Sequence, residues 1–353
     1  MTIEFPGLAH LAEAVQTNCH IADARGAADL TLCIYLLQMR ELFRWERGIA
    51  ALQPLAHDEV TQWLGEREAL WASLEGREFR ALVVDGLSFD PFDAAAVNEQ
   101  LRPHGLVYGA GLVAAGRASF FLGQLERVEW HGEVEVLVSG TEHARGLAAP
   151  PAALQGSTVL LRRQALRRWL GEKYEAWTLK RQAGAFKAAL DAHGFELDGV
   201  QALERMAEGE SETLVLHELG EFEAGRRLGP DWQALRGALA SRRTDLYVRA
   251  ARDHLADCLV TLPTLLLQRR DASVHFWFAN LEGVRALLFP RLWPAYAAWC
   301  SGDRGAALQG AVAAGSAHWG EACEELLVLH RTQGTQAHSL IEQRVQAPGW
   351  VLQ

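Results

Sequence analysis

The chain has 353 residues, 49% hydrophobic and 22% charged, enough to bury a sizeable core within one large or two ordinary globular domains. Its formal net charge of −10 excludes general nucleic-acid binding, because affinity for a polyanion comes from Lys and Arg neutralising phosphates. The longest apolar run, 258–267, is interrupted by Pro263 and too short to span a bilayer, and the N-terminus has no apolar stretch of signal-peptide length. The five cysteines are odd in number and form no C-x-x-C pair, so a reducing, cytoplasmic setting is expected.

In chain order, Leu8 to Thr17 reads as a short first helix, followed by a central helix from about Ala27 to Arg47. At 100° per residue, Leu30, Ile34, Leu37, Glu41 and Trp45 share one stripe of that helix, and Leu32, Leu36, Met39 and Phe43 the opposite one. A helix apolar on both sides is expected to be buried on both, which puts Glu41 inside. Asn18, Cys19, His20 and Asp23 crowd the expected start of this helix, where polar groups could meet the buried carboxylate. A third helix is expected from His57, with Asp58 as its N-cap.

From about Phe79 the period changes. FRALVVDG reads as a strand, PFDAAAVNEQL as a short helix with Pro91 near its first turn, and three further glycine-punctuated strands follow. These make a small antiparallel sheet over about 79–161, with 148–157 as a loop. Gly109-Ala110-Gly111 and Gly116 have the wrong spacing for a dinucleotide loop, and a strand-like segment follows them instead of a helix, so a hairpin or bulge is the expectation. No phosphate-binding G-x-x-x-x-G-K-[ST] loop, H-E-x-x-H or G-x-S-x-G occurs, which removes the usual support for ATPase, zincin and serine-hydrolase chemistry.

Beyond Leu161 nearly everything reads as helical: one long helix over 162–193 ended by Gly194, two more over 198–226 and 243–268, and several short ones over 273–342. The eight basic residues of 162–187 recur at helical spacing and read as a solvated face, with an anion site or an acidic partner as the alternative. The fold class is therefore mainly α with a small inserted antiparallel β-sheet (α+β). The expected domains are an N-terminal α+β domain, 1–195, and a C-terminal all-helical bundle, 196–353.

The stretch from Asn18 to Gly48, NCHIADARGAADLTLCIYLLQMRELFRWERG, together with VYGAG at 107–111 and LHELGE at 216–221, resembles an uncharacterised bacterial family. The resemblance runs over most of the chain and implies no activity, cofactor or catalytic residue.

Chemistry must then come from the residues. His217 and Glu221 are one turn apart on one helix, as are Asp253 and Asp257 on another whose faces are both apolar. A carboxylate so placed has to be hydrogen-bonded, ion-paired or metal-bound. Glu41, His217, Glu221, Asp253 and Asp257 are thus candidate metal ligands inside a helical bundle, in the manner of di-iron carboxylate proteins. That makes a transition metal, iron first, the expected cofactor, and a non-haem oxidoreductase acting on a small molecule the expected function. Cys19, His20 and Asp23 are the candidate catalytic group beside it, a thiolate near an imidazole having a lowered pKa. The alternative is a non-catalytic helical interaction protein with a buried polar network, in which arginines pair the same acids.

Overall fold

The computed structural model describes residues 5–113 and 116–353 and divides into two compact units, Met1–Lys180 and Arg181–Gln353. Residues 1–4, part of the segment read for a signal sequence, and residues 114–115 of an expected strand lie outside the described residues. No described helix is long and apolar enough to cross a membrane.

In the first unit, α1 (Leu8–Gly26) is longer than expected, so Asn18, Cys19, His20 and Asp23 lie within a helix and not at the start of the next one. Every residue from Asn18 to Ala22 is buried, which makes α1 the doubly buried helix of this unit. Asn18 tolerates that because both ends of its amide are used: Nδ2 donates to the Arg80 carbonyl at 2.9 Å and Oδ1 accepts from the Arg80 N–H at 2.7 Å. α2 (Leu32–Glu46), started by Thr31, corrects the two-stripe expectation. Leu32 is 70% exposed and Ile34, Leu36 and Leu37 about half exposed, while Met39 to Arg44 make the buried part, except Arg40, which is partly buried. Its second half packs with Trp63 and Trp71 of α3 (His57–Leu74), and the first half touches that cluster through Tyr35, which donates to Glu68 at 2.8 Å. The N-cap of α3 is Ala56, so Asp58 falls in the first helical turn instead of capping it.

The sheet is larger and more mixed than an antiparallel insert. β1 (Leu82–Val84) and β2 (Leu87–Phe89) form a hairpin, turned by Asp85 and Gly86 at positive φ. α4 (Ala94–Leu101) follows, capped by Asp93, with Pro91 outside the helix. The main sheet has the order β3-β4-β5-β7-β6: β3 (Leu106–Val113), β4 (Arg117–His131), β5 (Val134–Arg145), β6 (Ala152–Gln155) and β7 (Thr158–Arg162). β6 occupies part of the segment expected to be a loop, and β7 pairs parallel with β5, so the sheet is not purely antiparallel. Register shifts between Leu122 and Arg127 bend β4, and bulges of this kind increase local twist. The sheet curls far enough that Gln155 Nε2 on one edge strand donates to the Ala110 carbonyl on the other at 2.8 Å.

One face of the sheet, with Tyr108, Ala110, Phe120 and Leu122, packs in the core shared with α1 and α4. The inside of the curl holds Val107, Phe121, Leu137 and Leu160. Gly109 belongs to this inner face, where a Cβ would lie 2.3 Å from Phe121 and 2.9 Å from Leu160. The glycines of VYGAG are therefore strand positions under close approach and not a hairpin turn. α5 (Arg163–Lys180) ends the unit.

The expected long helix breaks after Lys180, where Arg181 and Gly184 take positive φ, and α6 (Ala185–His193) starts the second unit, ahead of the expected boundary near 195. Gly194 ends α6 in the left-handed conformation. The unit is built on α7 (Gly199–Leu228), α9 (Arg242–Ala256) and α14 (Ala306–Thr332), the last being one 27-residue helix where only short ones were expected. Between α9 and α10 (Leu262–Leu267) lies one π turn, Asp257–Thr261. Pro263 has no N–H for the Leu259 carbonyl, and the π turn absorbs the fault, with Leu262 N–H reaching back to the Asp257 carbonyl. α8 (Asp231–Gly237), α11 (Asp271–Ala279), α12 (Gly283–Leu288), α13 (Leu292–Cys300) and α15 (Ala337–Val345) complete the bundle.

Candidate functional site

Four of the five expected ligands meet in the second unit. Gly220 is the reason: a Cβ there would lie 2.5 Å from the Ala256 carbonyl, so α7 can press against the end of α9 only with glycine at that position. That crossing sets His217 Nδ1 2.8 Å from Asp257 Oδ1 and leaves His217 Nε2 3.7 Å from Glu221 Oε1. Asp257 is fully buried and also accepts a hydrogen bond from Arg285, while Glu221 accepts one from Arg252. Burial opposes charge on His217, but the Asp257 carboxylate, with Glu218 and Glu221, carries its pKa up to about 10, so it is an imidazolium at neutral pH. Asp257 feels burial pushing its pKa up, and the charges of His217 and Arg285 override it and hold the group well below the usual carboxylate range. Burial raises the pKa of Asp253.

This is a balanced ion-pair cluster. Two arginines and a protonated imidazole already pair Asp257 and Glu221, and a protonated His217 offers no lone pair to a metal. Among the described residues no three His, Cys, Asp or Glu side chains are disposed to hold a metal ion. Glu41 belongs to the first unit, where it accepts from Arg40 and Arg44 at 3.1 Å each.

Cys19, His20 and Asp23 each hydrogen-bond to a different part of the unit, and the Asp23 charge reaches Cys19 only to raise its pKa further. Cys19 donates to the Phe120 carbonyl at 3.2 Å, and burial raises its pKa well above the ordinary thiol value, the opposite of an activated nucleophile. His20 turns to α3, where Arg67 Nη1 donates to its Nε2 at 2.8 Å. Burial, then the Arg67 charge, lowers its pKa to about 3 and keeps it neutral. Asp23 accepts from the Leu147 N–H at 3.0 Å, and burial raises it to about 7.

A site that the sequence reading missed lies in the first unit. A cleft of about 660 Å³ opens where the two edges of the curled sheet approach each other beside α4. Its walls are Asp93, Asn98, Glu99 and Arg102 from α4 and the turn after it, 109–111 from β3, Ser119 and Phe121 from β4, 153–155 from β6, and Thr158, Leu160 and Arg162 from β7. Asn98 is committed to the Tyr108 backbone, and Arg102 to Glu135 through two bonds of 2.7 and 2.6 Å. Arg162 is different. It is 3% exposed, lies 4.3 Å over the Phe121 ring and donates through Nε to Glu142 at 2.7 Å, while its Nη2 is buried without an acceptor. The signal was present in the sequence, since Arg162 shares the inward phase of β7 with Leu160, but the basic run that follows it suggested a solvated helix face.

Two family models match the chain, and both are described as domains of a family of unknown function (DUF6866): its N-terminal domain over residues 10–162 and its C-terminal domain over 167–348. Neither the curated proteins nor the solved structures contain a match.

Proposed function

The chain belongs to this family of unknown function, which brings no activity with it, and we propose from the cleft itself that the N-terminal domain binds a small anionic molecule. The observation that carries the reading is Arg162, a buried guanidinium in the cleft wall with an unused donor. A buried donor without an acceptor costs about 1–3 kcal/mol, and more when charged, so an acid group bonded there is worth more than the same contact on an open surface. Phe121 and Leu160 give the inner wall an apolar surface for the rest of the ligand, the usual composition of a small-molecule site. Five free cysteines support the cytoplasm as its place of action.

The metal-dependent, iron-type oxidoreductase expected from the sequence has weaker support, because Arg252, Arg285 and His217 already supply three cations beside its three acids in the second unit. The reading of 162–187 as a solvated partner face is weaker too, since Arg162 and Arg168 are both buried.

Calorimetric titration with small aromatic carboxylates tests the proposal, benzoate being the first probe. Saturable binding is expected, weakened about tenfold or more by Arg162→Met, from the worth of a charged hydrogen bond. Binding indifferent to that substitution, or none across the panel, would sink it.

A further inference from the structure

Behind Arg162 the first unit buries more positive charge than negative. Four arginines are at least nine-tenths buried, Arg44 at 4% exposure, Arg145 and Arg162 at 3% and Arg168 at 8%, against three glutamates, of which Glu135, at 7%, is paired with Arg102, leaving Glu41 and Glu142, at 4% each, beside the four arginines. The six form one network. Glu142 accepts from Arg162 at 2.7 Å and has Arg145 Nη1 within 3.9 Å, beyond hydrogen-bond reach; Glu41 accepts from Arg44. Arg168 feels the charges of Arg145, Glu41, Glu142 and Arg44.

The surrounding groups leave the excess in place. Arg40 and Glu175, paired at 2.8 Å, cancel each other. Glu172 and Asp23 also face Arg145; burial raises each to about 7, so each carries at most about half a charge at neutral pH. Unused donors outnumber unused acceptors: Arg145 Nη1, Arg162 Nη2, and both Nε and Nη1 of Arg168 are buried without an acceptor, against one buried carboxylate oxygen without a donor, Glu142 Oε2, 3.9 Å from Arg145 Nη1. Burial first, and then the Arg145 charge, lowers the Arg168 pKa to about 10. Arginines gathered in this way, with several donors unused and one to two positive charges uncompensated, are a costly arrangement unless an anion completes it.

We infer that Arg145, Arg162 and Arg168 bind a doubly charged oxyanion of the phosphate class, the acid group of a phosphomonoester whose organic part lies in the cleft. The inference rests on the reading of the cleft and narrows it. A phosphate has enough oxygens to accept from all three guanidinium groups, and its second charge matches the excess; a carboxylate supplies two oxygens and one charge.

The test uses the full-length protein, thermal shift and calorimetry, and three probes: inorganic phosphate, phenyl phosphate and benzoate. Phosphate should bind saturably, phenyl phosphate more tightly, and benzoate about tenfold or more weakly than phenyl phosphate. Arg168→Met should abolish the phosphate effect while leaving the ligand-free protein as stable as the parent or more so, because an unpartnered buried charge is removed. Arg145→Met should abolish it as well. A saturable benzoate response with no phosphate response would overturn the inference and leave the cleft reading standing, whereas silence from all three probes would remove both. Phosphate binding that survives Arg168→Met would place the anion elsewhere, and a ligand-free Arg168→Met protein less stable than the parent would mean that Arg168 is already satisfied; either result overturns the assignment.

Discussion

Replacing Asp257 with Asn isolates the charge logic of the C-terminal unit. The substitution keeps volume and one acceptor but deletes the carboxylate shared by His217 and Arg285. Breaking a buried pair by removing one partner costs about 3–5 kcal/mol, and the lower end applies because Arg285 and His217 are each about a quarter exposed and can recover some hydration. Loss of about 3 kcal/mol should appear as faster hydrogen exchange across α7 and α9. The titration of His217 gives a second reading. Burial already works against its charge, so without Asp257 its pKa should fall from about 10 toward its ordinary value, held up only by Glu218 and Glu221. The raised value also fixes the sign of the pH dependence. The stability that the imidazolium contributes is complete below about 6.5 and lost as pH rises through about 10. The parent should therefore weaken across that window and the Asp257→Asn protein should not. A variant within about 1 kcal/mol of the parent, below the range for a broken buried pair, with His217 still titrating near 10 by NMR, would refute the reasoning.

Two other perturbations address the first unit. Gly109→Ala should destabilise by about 1–3 kcal/mol in chemical denaturation, because its methyl group would meet Phe121 and Leu160 inside the curl, and an unchanged midpoint would mean that the curl yields easily. Glu172, raised to about 7 by burial and then by Glu41, contributes stability that is complete below about 4.5 and lost as pH rises through 7. Glu172→Gln should then gain on the parent as pH is raised from 4.5 to 7, and a constant difference over that range would show that the carboxyl is ordinary.

The helical elements were legible because their signals are local. Gly194 stops α6 by φ alone, and Asp198 caps α7 with its own side chain. The curled sheet was legible as strands but not as a cleft: β6 is four residues in a Pro- and Gly-flanked segment, and the parallel pairing of β7 with β5 is a long-range event with no local mark. Glu41 shows the limit most clearly. Its burial was read from two apolar stripes, yet much of the first half of those stripes is exposed, and Glu41 is buried by the second half of α2 together with its arginine partners. Helical phase fixes a face, and only tertiary packing says what covers it.

The same limit explains why acids drew attention and arginines did not. In a sequence, a carboxylate among leucines stands out, while an arginine in a basic run looks solvated. What decides chemistry in a sealed space is the balance of charges within it. In the second unit Asp257 is matched by His217 and Arg285, and Glu221 by Arg252, so an added cation would face groups already neutralised. In the first unit Arg145 and Arg162 gather about Glu142 from two strand ends, and the charges of Glu142 and Glu41 reach Arg168 on α5, an imbalance that exists only once β5, β7 and α5 are folded together. A metal would compete with arginine in one place, and an anion would relieve arginine in the other.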